Sequence, residues 1–204
     1  LKTEGNLNNL IGLPQTIFHL TDQHEMMILE MGTNTKGEIK RLTQIAVPGI
    51  GLITNIGPAH LEGFGSLEAV REEKSDLFEH MPSSGIAVVN LDDEAVAEAS
   101  EKWHGKKITF SMSPNADVTV KDIEKNGAKG MSFNLIIHGD VQKTDIKIVG
   151  LHHVYNAMAS ASTASAAGNI QSAKSRADAV DRSLRPYHRP ASIRLAGTPD
   201  RPGA

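Results

Sequence analysis

Short apolar runs alternate with helix-period segments through the first half of the chain, and this rhythm restricts the fold more than any other feature. Buried strands joined through covering helices are the pattern of βαβ units and a parallel sheet. Residues 26–30 (MMILE) and 51–55 (GLITN) read as buried strands, with a helical stretch from about residue 37 to 46 between them, stopped by Pro48. One right-handed crossover joins such a pair. Ser66 is placed to cap a helix whose apolar side chains fall at Leu67, Val70, Leu77, Phe78 and Met81, ending near Pro82. Residues 85–90 (GIAVVN) form the next expected strand. Residues 108–110, 118–123, 131–137 and 141–149 then alternate or run apolar between turn residues, as a small antiparallel sheet would.

Residues 154–167 are dense in Ala and Ser without Gly or Pro, which favours a closely packed helix over a flexible linker. A weaker helix is expected over 171–184. Beyond Arg185, Pro and Arg dominate and periodicity ends. The expectation is an α/β domain over residues 1–184, with a mostly parallel sheet flanked by helices plus a small antiparallel sheet, and a linker or disordered tail over 185–204.

Composition removes several function classes. With 24 acidic and 21 basic residues the net charge is −3, and no block of like charge stands out, so a general nucleic-acid or membrane-surface binder is disfavoured. Cysteine is absent, which leaves only oxygen and imidazole ligands for a metal and excludes a thiol nucleophile. No apolar run approaches a membrane span, and LKTEGNLNNL lacks the layout of a signal peptide. These features fit the cytoplasm. A first residue of Leu1 in place of Met reads as a piece of something longer.

Familiar phosphate motifs fail. Residues 32–38 (GTNTKGE) have the two glycines of a phosphate loop but carry Glu38 where a lysine must reach the phosphates, and GIGLIT lacks the third glycine of the dinucleotide fingerprint. Neither a G-x-S-x-G elbow nor an HExxH pair occurs. What remains is a set of polar residues at informative places. Glu30 closes an expected strand and His60 follows the next one through IGPAH, so both reach the edge where open α/β sheets bind ligands. Taken singly, each is more simply a solvated side chain. Lys74 interrupts the apolar stripe of its helix. Either it snorkels to a rim, or desolvation lowers its pKa and makes a neutral amine available for catalysis or for capture of carbon dioxide as a carbamate. Glu, imidazole and a carbamate oxygen form a set suited to magnesium. Asn6, Asn8 and Asn9 crowd one segment ahead of a helix-like run, and His152 and Asn156 sit in GLHHVYN at a helix start. The plain readings are turn and cap chemistry; the functional ones are contacts to substrate amides and to a nucleotide.

The runs TEGNLNNLIGLP, ILEMGTNTKGEI and NIGPAHLEGFGSLEAVREEKSDLF together resemble the central domain of the Mur ligases, ATP-dependent enzymes that form amide bonds in peptidoglycan synthesis. The GNLNN and HLEGFGS runs resemble the branch that adds D-alanyl-D-alanine. That resemblance implies a three-layer central domain, ATP and Mg2+ as cofactors, UDP-N-acetylmuramoyl-tripeptide and D-alanyl-D-alanine as substrates, and a monomer. It implies that Glu30 and His60 bind magnesium and that Lys74, fourteen positions after His60, is the carbamylated lysine. By the same resemblance Asn6, Asn8 and Asn9 lie near the muramoyl peptide, while His152, Asn156 and, in the looser RPASIRL run, Arg194 approach the nucleotide. His153 stands where the family's G-x-H-N-x-x-N run has an asparagine.

In the family a Gly-Lys-Thr phosphate loop precedes the TEGN segment and further domains hold the other substrates. The chain alone is therefore expected to be inactive. Two alternatives stay open at this point: another Mur-type ligase or a folylpolyglutamate synthase relative, and a non-catalytic remnant of such a domain.

Overall fold

The computed structural model describes residues 1–58 and 61–168, and 61 and 62 in their backbone only. Six strands form one sheet in sequence order, β1 (Ile50–Ile53), β2 (Ile86–Asn90), β3 (Lys106–Phe110), β4 (Val118–Lys125), β5 (Met131–Ile137) and β6 (Asp140–Ile146). The helices are α1 (Gly12–Phe18), α2 (Glu38–Ala46), the single turn α3 (Leu61–Phe64), α4 (Leu67–His80), α5 (Glu94–Ala99) and α6 (Leu151–Ala166).

β1, β2 and β3 pair in parallel, whereas β4, β5 and β6 pair antiparallel. The two halves are one continuous sheet, joined where Phe110 meets Val118. The antiparallel strands anticipated from the sequence thus extend the parallel sheet, and residues 108–110 belong to its parallel side because β3 runs in register beside β2. Alternation along β2 builds three layers. Val88 faces a cluster with Phe110, Val118, Phe133, Val154 and Met158, which seats α6 on one face. Ala87 and Val89 face Val70, Phe78, Val96 and Trp103, which seat α4 and α5 on the other. Phe78, Phe110 and Phe133 are almost wholly buried, each contributing about 1.5–3 kcal/mol of transfer free energy.

Local signals act where the sequence put them. The Ser66 side chain accepts from the Ala69 amide at 3.2 Å and caps α4, and α2 ends at Ala46 just before Val47 and Pro48. Small side chains let α6 lie close on the sheet, with Ala159 and Ala161 buried.

The segment 26–30 departs from expectation. It is not a strand of the sheet: it lies extended beside residues 1–3, with one parallel bridge between Lys2 and Ile28 and amide bonds from Ile28 to the Leu1 carbonyl and from Thr3 to the Ile28 carbonyl. Ile28 is 68 % exposed. Its apolar content resembles a core strand, but its backbone finds a partner only three residues long. The ladder of β6 ends at Ile146, short of residue 149. The helix anticipated over 171–184 and the boundary at 184/185 lie outside the described residues.

Candidate functional site

The carboxyl ends of β1, β2 and β3 gather on one edge. Asn55 follows β1, Asn90 closes β2, and Phe110 closes β3; with Asp92, His152 and Asn156 they line a cleft of ≈ 230 Å³ between the sheet edge and α6. Ligands of open α/β sheets bind at such an edge. The Asn90 side chain donates to the Thr54 carbonyl at 2.9 Å, tying the two strand ends together.

Lys74 projects toward this edge. It is half-buried, and its Nζ donates to the Asn55 carbonyl at 3.0 Å. Burial lowers the pKa of its ammonium below the ordinary lysine value, and the charge of Asp93 opposes that shift. Asp93 is itself fixed, since one carboxylate oxygen caps α5 through the Val96 amide and the other accepts from the Ile56 amide, both at 3.0 Å. The interrupted stripe therefore marks a lysine that reaches the carboxyl end of β1.

On the far wall of the cleft, Asp92 accepts hydrogen bonds from the Tyr155 hydroxyl at 2.9 Å, the Met112 amide at 2.6 Å and the Ser111 hydroxyl. It ties α6 to the loops after β2 and β3. Burial, then the bond to Asp92, pushes the Tyr155 phenol up to about 12, above the value of about 10 expected when unfolded. The folded protein keeps this proton where the unfolded chain has lost it, so stability falls as pH rises through that window. Tyr155→Phe should be less stable than the wild type at neutral pH, and the difference should shrink between about pH 10 and about pH 12 in chemical denaturation. A constant difference would show that the phenol does not titrate there. His152 and Asn156 are both exposed on α6 at the cleft, and the His152 and His153 rings lie 4.0 Å apart.

Glu30 stands apart from this cleft in its contacts. Its carboxylate is exposed and accepts from Asn8 Nδ2 at 2.9 Å, while its backbone amide donates to the Thr3 hydroxyl at 2.9 Å. The three asparagines have separate surroundings. Asn9 Oδ1 accepts from the amides of Ile11 and Gly12 and opens α1, Asn8 reaches Glu30, and Asn6 is exposed. His60 and Arg194 lie outside the described residues. Among the described residues, no group of three or more His, Asp or Glu side chains could hold a metal by itself.

One buried carboxylate was not singled out in the sequence. Glu73, 1 % exposed, accepts from the amides of Gly37 at 2.6 Å and Ile39 at 2.8 Å and from the Thr33 hydroxyl at 2.9 Å. Glu38 accepts from the amides of Asn34 and Thr35 at 2.6 and 2.9 Å, and those amides hold its carboxyl below the usual range. Its spacing from Val70 and Leu77, three and four residues, places Glu73 on the inner face of α4 and could have flagged it. Asp92 and Asp93, next to the β2 end in NLDDE, carried a similar positional signal.

The sequence model described as the Mur ligase middle domain matches residues 1–164. The chain belongs to the Mur ligase middle-domain family. The UDP-N-acetylmuramoyl-tripeptide--D-alanyl-D-alanine ligase of Escherichia coli (strain K12) is 34% identical over 171 residues, covering 82% of this chain and 37% of the relative. The enzyme of the same description from Bacillus subtilis (strain 168) is 34% identical over 158 residues, 78% of this chain and 33% of the relative. This Mur ligase middle domain thus spans about a third of the curated relatives it matches. Among solved structures, MurF from Acinetobacter baumannii superposes with a TM-score of 0.77 at 32% identity, covering 82% of this chain and 37% of the other. The MurF ligase from Thermotoga maritima in complex with ADP gives 0.74 at 26% identity, covering 82% and 39%. No helix among the described residues is long and apolar enough to cross a membrane.

Proposed function

We propose that this Mur ligase middle domain is the ATP- and magnesium-handling centre of a cytoplasmic, monomeric ligase that joins D-alanyl-D-alanine to UDP-N-acetylmuramoyl-tripeptide. The observation that carries the reading is the convergence at Asn55. Its carbonyl receives Lys74, and the same residue lines the cleft shared with His152 and Asn156. Relatives named as ligases of this specificity, matched over about four fifths of the chain, support the choice of substrates.

The reaction joins a carboxylate to an amine. ATP phosphorylates the terminal carboxylate of the tripeptide and ADP leaves; the amine of D-alanyl-D-alanine then attacks the acyl phosphate, the C–O bond to phosphate breaks, and the amine gives up a proton. Little of this needs a covalent protein group, so the work of the domain is positional and electrostatic. His152 and Asn156 on α6 would contact the base from the cleft wall, with Arg194 as a further nucleotide contact. Asn6, exposed beside α1, would face the muramoyl peptide.

The donors present are oxygens, the exposed Glu30 carboxylate and, separately, the Asn55 carbonyl at the end of β1, and oxygen donors suit a hard cation that keeps water and phosphate among its ligands. Glu30, His60 and carbamylated Lys74 would hold magnesium, which supplies charge neutralisation at the transferring phosphate. The lowered pKa of Lys74 supports its part. A larger neutral fraction of the amine can add to carbon dioxide, releasing a proton and converting a cation into an anionic oxygen donor.

The test is phosphate release by the gene product that contains this domain. Release that requires ATP, the UDP-linked tripeptide and D-alanyl-D-alanine together is the expected result. Release with a single amino acid in place of the dipeptide would assign another Mur-type ligase, and release with a folate would assign a folylpolyglutamate synthase. No release with any of them would favour a non-catalytic remnant.

A further inference from the structure

The three asparagines before α1 resemble a substrate-binding segment, yet Asn8 spends its donor inside the protein. Its Nδ2 donates to Glu30 Oε1 at 2.9 Å, and its backbone carbonyl accepts from the Gly32 amide at 2.7 Å. The amide group also lies flat over Gly32: a Cβ built there would fall 2.9 Å from each of its Cγ, Oδ1 and Nδ2 atoms. Asn8 is therefore held at its backbone, packed at its side chain, and aimed at one oxygen of an otherwise exposed carboxylate.

We infer that Asn8 is a positioning residue that orients the Glu30 carboxylate for a divalent cation, and that Gly32 is glycine so that the Asn8 amide can reach it. The inference rests on the reading of Glu30 as a magnesium ligand. A neutral amide is suited to this role because it fixes one carboxylate oxygen by a charge-assisted hydrogen bond and leaves the negative charge uncompensated. An ammonium or guanidinium in its place would neutralise the site and compete with the cation. Thr3 completes the support by accepting from the Glu30 backbone amide, so residues 3–8 fix both the main chain and the side chain of Glu30.

Manganese binding to the full chain, followed by water-proton relaxation, tests this without any turnover. Outer partners of ligands commonly tune metal affinity by about 10–100-fold. Asn8→Leu, which is close in shape and lacks the donor, should weaken manganese binding about tenfold. Gly32→Ala should do the same while leaving both Asn8 and Glu30 in the sequence, so the test survives if Asn8→Leu fails to fold. Melting temperatures of both variants should stay within a few degrees of the wild type. Unchanged affinity in both, with weakened binding in Glu30→Gln, would overturn the role of Asn8 and leave the metal reading standing. If Glu30→Gln also binds manganese as the wild type does, Glu30 is not a ligand, and the metal reading falls together with the inference.

Discussion

If the proposed ligase activity holds, replacing Lys74 by alanine in the protein that contains this domain is expected to cut turnover by about 100-fold or more, the scale on which removal of one electrostatic stabilising group acts. Among the described residues the side chain makes one hydrogen bond, to the Asn55 carbonyl, and it is half-buried, so its loss should change the melting temperature little. Small carboxylic acids should restore part of the lost activity, because they can return an anionic oxygen to the vacated space. Lys74→Arg keeps a cation but cannot form a carbamate, and it should stay as impaired as Lys74→Ala without rescue. Turnover near the wild-type rate in Lys74→Ala would remove the residue from the mechanism. A defect that carboxylic acids do not relieve, with Lys74→Arg active, would assign the role to the positive charge instead.

The largest effect on stability is expected one residue earlier. Glu73→Ala strips three acceptor contacts from a turn whose Ile39 amide is buried, and the orphaned donors should cost about 3 kcal/mol or more in urea denaturation. Glu72, the next residue toward the amino terminus, pairs with Lys36 at 3.5 Å on the surface, and Glu72→Ala should stay within about 0.5 kcal/mol of the wild type. Equal losses from the two variants would show that the turn does not depend on the buried carboxylate. Adjacent glutamates on one helix thus differ in consequence because α4 turns one toward solvent and the other toward the start of α2.

Much of the fold was legible because periodicity and caps agreed. Ser66, Pro48 and the Ala-rich run mark helix limits through chemistry that acts locally, and the structure puts α4, α2 and α6 there. Residues 26–30 mislead because an apolar run reports potential burial and says nothing of the backbone partner that a strand needs. The place of residues 108–110 is hidden for a related reason. Parallel or antiparallel pairing is decided by chain direction across the sheet, which alternation within one strand does not encode.

The site was legible in part. Lys74 announced itself by breaking an apolar stripe, and it does reach the strand ends. Glu73, Asp92 and Asp93 carried only a positional signal, on the inner face of α4 and at the end of β2, and the sequence does not show which amides and hydroxyls clamp them. Asn8 and Asn9 group with Asn6 only by proximity in the chain. Three dimensions separate them, since an amide side chain takes whichever partner the local turn presents.

The turn over residues 33–39 has a consequence for anion recognition. Its amides at 34, 35, 37 and 39 point at oxygen atoms as the amides of a phosphate cradle do, but the oxygens belong to Glu38 and Glu73. The glycine spacing that resembled a phosphate loop therefore describes a receptor already filled by its own counter-anions. Any phosphate this domain handles has to be gripped elsewhere, while the filled receptor ties the turn that follows the Glu30 segment to the helix that carries Lys74.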